Sequence, residues 1–207
     1  MRRVLPLLLG AVGVGFAVIL IAARKSMSTI SYDPQLPASG GYMTTITIPK
    51  QLTAEIIASA RRWADIRGIP LQEVLATILV ESSGNPRAWA NKANEDSRGL
   101  MQVNINAWKS LLTQNGMTVD DLWNIDKNIQ IGTYIYAQYR KAVADLIAKS
   151  GVPQAAPLDA LTRLYYKGPA YVKSKILAGK DASSPYKDAD KALANWKLAM
   201  GKVSAVV

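Results

Sequence analysis

The pattern of apolar and polar positions divides the chain into three parts. The first is a run of twenty positions without a charge, Val4 to Ala23, flanked by Arg2-Arg3 and Arg24-Lys25. Helical residues rise about 1.5 Å each, so such a run reaches across the roughly 30 Å hydrocarbon core of a bilayer. It is longer than the ~7–15-residue apolar stretch of a signal peptide, and Ala22-Ala23-Arg24 makes a poor cleavage site. The expectation is an uncleaved transmembrane helix within residues 1–25, meeting lipid through residues 4–23. Basic residues flank both ends, and the amino terminus adds slight weight to a cytoplasmic tail with the C-terminal domain outside.

Residues 26–50 read as a linker. They carry Pro34, Pro37 and Gly40-Gly41, with one alternating stretch, Thr44 to Ile48, that suits a short extended segment. From residue 51 to 207 the periodicity becomes helical. Thr53 can cap a helix running to Arg67, where Gly68 stops it. Pro70 suits the first turn of the next helix, in which Leu71, Val74, Leu75, Ile78 and Leu79 form one apolar stripe. Further helices are expected after Asn106, after Thr118, over 126–150, over 157–167 and over 184–202. The domain is therefore mainly α, with seven or eight helices, and no strand–helix alternation supports a parallel sheet.

Composition narrows the chemistry. The 207 residues contain neither cysteine nor histidine. Disulfides, Ser-His-Asp and Cys-His nucleophiles and imidazole–zinc sites are all excluded, and no metal or other cofactor is expected. Acid–base work near neutral pH falls to a carboxylate, a lysine or a tyrosine. The net charge is +10, and eight lysines after Tyr166 face only Asp181, Asp188 and Asp190. Such a surface suits an anionic polymer or lipid, or is merely a solvated basic face. Basic and aromatic residues do not interleave as in nucleic-acid modules, so no nucleic-acid partner is expected.

Glu81 is the candidate carboxylate. At 100° per residue it lies about 20° from Val74 on the helical wheel, at the border of the apolar stripe. It also falls in the last turn, because Ser82-Ser83-Gly84-Asn85-Pro86 ends the helix. Helix C-terminal carbonyls and partial burial both disfavour a negative charge there. Those conditions suit a general acid. The alternative, a surface glutamate at a fraying helix end, stays open on these grounds alone.

Four ordered blocks add to this. They are Glu81-Ser82-Ser83-Gly84-Asn85-Pro86-Arg87-Ala88, Ser97-Arg98-Gly99-Leu100-Met101-Gln102-Val103-Asn104, Asn128 to Tyr134, and Ala160-Leu161 through Tyr165 to Gly168-Pro169. Together they resemble the signature of the soluble lytic transglycosylase (SLT) family. The resemblance implies a lysozyme-like (goose-type/SLT) helical domain acting on peptidoglycan glycan strands, with Glu81 as its only catalytic carboxylate. Ordinary glycosidases use two. In the family, one glutamate protonates the leaving oxygen between N-acetylmuramic acid and N-acetylglucosamine. It then deprotonates the muramyl C6 hydroxyl, which closes a 1,6-anhydro ring; an internal nucleophile is entropically favoured over water.

By the same resemblance, Ser97, Gly99, Met101, Gln102, Tyr134, Tyr165 and Tyr166 line or support the substrate site. Gly99 would supply backbone access or positive φ, Met101 an apolar face for sugar, and Gln102 an amide for an N-acetyl group or for bracing Glu81. Tyr134 and Tyr165 would orient the Glu81 carboxyl or stack on sugar, with core packing as the alternative. One departure stands out. Tyr166 occupies the position where the family commonly has asparagine.

Two other activities remain compatible with the sequence. One is a goose-type muramidase, in which Glu95 or Asp96 activates water; the other is a membrane-anchored glycan-binding component without activity. The setting implied is a bacterial inner membrane or a virion membrane, with proteins of a phage-entry device or of a secretion or conjugation machine as partners.

Overall fold

The computed structural model describes residues 49–92, 95–183, 187–204 and 206. These fall within one unit, Thr44–Val207. The anchor expected at residues 4–23 and nearly all of the linker lie outside the described residues. Among the described residues, no helix is long and apolar enough to cross a membrane.

Helix α1 (Ala54–Arg67) starts where Thr53 accepts the Ile56 amide proton at 3.3 Å, and it ends on Gly68 in the left-handed region. Helix α2 (Leu71–Ser82) follows Pro70 and ends on Ser83 at φ 53°. Its apolar stripe is as expected at Leu71, Val74, Leu75 and Ile78, but Glu73, Ala76 and Thr77 are buried too. A helix enclosed on most faces is a central element. α2 packs against both α1 and α7 (Lys187–Val203), and the hydroxyl of Thr77 is satisfied by the Glu73 carbonyl at 2.7 Å.

The longest element is α4 (Ile125–Ser150), which opens on an Asn124 cap and meets α1, α5 (Leu158–Lys167) and α6 (Pro169–Leu177). Its 26 residues give about 39 Å of spine at the usual rise. One apolar cluster joins α1, α2 and α7 to Leu100, Met101 and Ile129. A second sits under α3 (Ile105–Gln114), and a third lies between the later part of α4, α5 and α6.

Three elements differ from the sequence expectation. The segment after Thr118 is a short 3-10 turn, Asp120–Trp123, rather than an α-helix. Gly168-Pro169 does not simply end α5: Pro169 is the first residue of α6, where its missing N–H costs nothing. A small antiparallel sheet was not anticipated. Strands β1 (Trp89–Lys92), β2 (Glu95–Arg98) and β3 (Val103–Asn104) lie in that order, with Trp89 opposite Arg98 and Ser97 opposite Asn104. Their sequences, WANK and EDSR, carry no apolar alternation. Side-chain ties hold this region instead: Asp96 accepts from the Trp89 indole at 2.9 Å and from two nitrogens of Arg98 at 3.1 Å.

Candidate active site

The turn between β2 and β3 is fixed from below by α4. Asn128 is 1 % exposed. Its amide oxygen accepts the Met101 N–H at 2.8 Å, and its nitrogen donates to the carbonyls of Arg98 at 2.9 Å and Leu122 at 3.0 Å. Gly99 adopts φ +75°, and a Cβ there would stand 2.2 Å from the Asn128 nitrogen. Gly132, one helical turn on from Asn128, lets Met101 approach; a Cβ would meet its sulfur at 2.5 Å. The turn is thus seated on α4 by one amide and two missing side chains.

A cleft of about 440 Å³ opens over this turn. Glu81 from α2, Glu95 and Ser97 from β2, and Gln102 to Asn104 from the turn and β3 line one part of it. Trp108 from α3, Ile135 and Tyr139 from α4, Tyr166 and Lys167 from α5, and Pro169 from α6 line the rest.

The Glu81 side chain is only 4 % exposed, yet it borders this open space. Its Oε1 accepts from Arg163 Nη1, and its Oε2 accepts from Lys167 Nζ at 2.9 Å. The two cations differ. Arg163 is 1 % exposed and fixed, its guanidinium 5.7 Å from the centre of the Tyr166 ring, whereas Lys167 is 53 % exposed. The picture of a carboxyl facing only helix-end carbonyls and apolar side chains is therefore corrected: one glutamate meets two positive groups. Each carboxyl oxygen thus takes one charge-assisted hydrogen bond.

The residues singled out in the sequence divide into two groups. Ser97, Gln102 and Tyr166 line the cleft with Glu81. Ser97 is buried and donates to Glu95 Oε1 at 3.4 Å. Gln102 sits at φ 46°, and its amide donates to the carbonyls of Ala88 and Gly99, both at 2.9 Å. It braces the turn rather than Glu81. Tyr166 donates to the Met101 carbonyl at 2.7 Å, and burial followed by the Glu81 charge pushes its hydroxyl well above the usual phenol range. The tyrosine in the family's asparagine position thus ties α5 to the turn.

The others do not reach the cleft. Met101 is wholly buried, so it supports the turn and presents no face to a sugar. Gly99 is covered by Asn128. Tyr134 lies under the guanidinium of Arg67, 5.1 Å from its ring centre, and Tyr165 packs edge-on against Tyr139 at 5.2 Å.

Sequence reasoning missed Arg163 and Lys167, although their i, i+4 spacing places both on one face of α5. It also missed Trp108 and Tyr139, whose rings lie 5.9 Å apart. Asn128 was legible only as part of a motif, not as the residue that seats the turn. A second buried acid, Glu73, lies outside the cleft, where it accepts from Tyr136 at 3.0 Å and Arg140 at 3.3 Å. Burial raises its carboxyl above the ordinary range, against the opposing effect of Arg140 and the tyrosine hydrogen bond. Among the described residues, no group of three or more acidic side chains converges as a cation site.

A mainly helical domain with a small sheet beside a cleft, and a glutamate at the end of its central helix, is a lysozyme-like arrangement. Residues 58–152 match the family model described as the Transglycosylase SLT domain. That stretch, a little under half of the chain, is therefore an SLT domain, of the lysozyme-like superfamily, which implies peptidoglycan as the polymer bound and supports transglycosylase-type activity in general. The match takes in Glu81, Ser97, Gly99, Met101, Gln102 and Tyr134, and stops before Tyr165 and Tyr166. No curated protein matches the chain.

Proposed function

We propose that this chain is a peptidoglycan lytic transglycosylase that cleaves the β-1,4 bond between N-acetylmuramic acid and N-acetylglucosamine. The observation that carries the reading is Glu81 itself. Its carboxylate borders the cleft, its side chain is 4 % exposed, and both oxygens are held by cations. Protonated Glu81 gives its proton to the bridging oxygen as the muramyl C1–O bond breaks. The resulting carboxylate takes the proton of the muramyl C6 hydroxyl as O6 bonds to C1. Atoms and charge balance without water, and Glu81 ends protonated, ready for the next cycle.

Arg163 has a definite part in this cycle. A carboxylate must exist between the two proton transfers, and a buried guanidinium stabilises it at that stage. Trp108 and Tyr139 offer aromatic faces on the same cleft wall, suited to the apolar faces of sugar rings. The test is Glu81→Gln, which keeps the side chain's size and removes its acid–base function. Purified cell walls should be cleared by the native chain and left intact by the variant, with thermal unfolding confirming that the variant folds. Undiminished clearing by Glu81→Gln would remove Glu81 from the chemistry.

One observation favours a second reading. Glu95 lines the same cleft and is oriented by Ser97. A second carboxylate that activates water would make the chain a goose-type muramidase, with a reducing end in place of an anhydro ring.

We also infer that residues 4–23 anchor the chain in a bacterial inner membrane or a virion membrane, with the domain on the periplasmic or external side. The uncharged run and its basic flanks support this. A role in local wall opening for a phage-entry device or a secretion or conjugation machine follows from such placement. Resistance of the full chain to alkaline extraction from membranes tests the anchor, and release into the soluble fraction would oppose it.

A further inference from the structure

The two cations at Glu81 are more than one carboxylate needs. Arg163 alone satisfies Oε1 and cannot leave, because its side chain is 1 % exposed and stacked near Tyr166. Lys167 is different in kind. It stands at the open rim with 53 % of its side chain exposed, and among the described residues its one ion pair is the 2.9 Å contact with Glu81 Oε2. The other acid lining the cleft, Glu95, is engaged with Ser97. The Glu81 side of the cleft therefore holds two positive charges against one negative, with the movable one facing solvent.

Resting on the reading of Glu81 above, we propose that Lys167 is a specificity residue for the free lactyl carboxylate of muramic acid, so the chain prefers glycan strands stripped of their stem peptides. The muramyl ring whose C1 bears the oxygen served by Glu81 carries the lactyl group on C3 of the same ring. A flexible cation one hydrogen bond from Glu81 is thus placed to reach toward that substituent. On a peptide-bearing strand the lactyl carbonyl is an amide and carries no charge. Hydrolysis of that amide leaves a carboxylate, which can take the Lys167 ammonium from Glu81 Oε2. Glu81 then keeps Arg163 and has one oxygen free toward the glycosidic bond. Lysine suits this exchange because its ammonium is a compact charge on a flexible stem. The chain would accordingly act after an amide-hydrolysing step that removes the peptides.

The experiment compares kcat/KM of the full chain on two preparations of the same peptidoglycan, one with stem peptides intact and one with them removed by a muramoyl-amide hydrolase. The native chain is expected to favour the peptide-free strands about tenfold, the worth of one charge-assisted contact near a surface. In Lys167→Met that ratio should fall to about one, and Lys167→Arg should keep most of it. Thermal unfolding of each variant confirms the fold. Equal cleavage of both preparations by the native chain overturns the inference while leaving the proposed activity intact. So does a ratio unchanged in Lys167→Met, which would assign Lys167 to Glu81 alone. Cleavage of neither preparation removes the proposed activity itself, and this inference with it.

Discussion

Replacing Asn128 with aspartate changes one group, an amide nitrogen for an oxygen, at the point where the β2–β3 turn rests on α4. The Met101 N–H keeps its acceptor, since Asn128 receives that bond on its oxygen. The two donations to the Arg98 and Leu122 carbonyls are lost. A buried polar group left without its partner costs about 1–3 kcal/mol, and at 1 % exposure water cannot replace the missing donor. At neutral pH the new carboxylate also faces two carbonyl oxygens. A loss of about 3–5 kcal/mol is expected near pH 7, a large share of the roughly 5–15 kcal/mol that stabilises a domain.

The sign of the pH dependence follows from the same contacts. Burial and carbonyl neighbours raise the carboxyl's pKa in the folded state, so the native variant binds a proton more readily than its unfolded form. As pH falls, the protonated group can donate to one of the two carbonyls, and the deficit should shrink by about 1–2 kcal/mol at mildly acidic pH. Urea unfolding followed by tryptophan fluorescence, at neutral and mildly acidic pH, measures both quantities. A loss under about 1 kcal/mol at neutral pH, or a deficit that does not shrink on acidification, would refute Asn128 as the anchor of the turn.

Two other variants probe the surroundings of the site. Glu73 has a folded-state pKa raised above its ordinary 4.5, so its own contribution to stability is fully present below that value and is lost as pH rises through the folded pKa. Urea unfolding across mildly acidic to neutral pH should show a steeper decline for the native chain than for Glu73→Gln, and parallel slopes would contradict it. Tyr166→Phe removes the hydroxyl that donates to the Met101 carbonyl; a loss of about 1–2 kcal/mol and slower wall clearing are expected. Native-like stability and clearing would show that the tie between α5 and the turn is dispensable.

Much of the helical frame was legible because the signals are local. Thr53, Gly68 and Pro70 act within their own turns, and the stripe on α2 shows the periodicity of a buried face. The sheet was not legible for the opposite reason. Residues 89–92 and 95–98 are polar strands whose ties run between side chains seven or two positions apart and across a turn seated on α4. Pro169 carries two meanings, a breaker after α5 and a first residue of α6, and nothing local separates them.

The site was legible in the same uneven way. Glu81 was visible as a helix-end carboxylate with a motif around it. Arg163 and Lys167 lie 82 and 86 residues further along the chain, and only the tertiary fold, in which α2 and α5 both pack on α7, brings them to it. Met101 and Gly99 belong to the motif for support rather than for contact. Their neighbours Asn128 and Gly132 show why: the turn can approach α4 only with those residue types in place.

The fate of the glycosidic bond beside Glu81 decides between the anhydro-forming and the hydrolytic chemistry. Mass spectrometry of the soluble products from purified peptidoglycan, digested by the full chain, reads that directly. The predicted result is muropeptides ending in 1,6-anhydromuramic acid, absent when Glu81→Gln replaces the native chain. Products ending only in reducing muramic acid would contradict it and make Glu95 and a water molecule the partners of Glu81 instead.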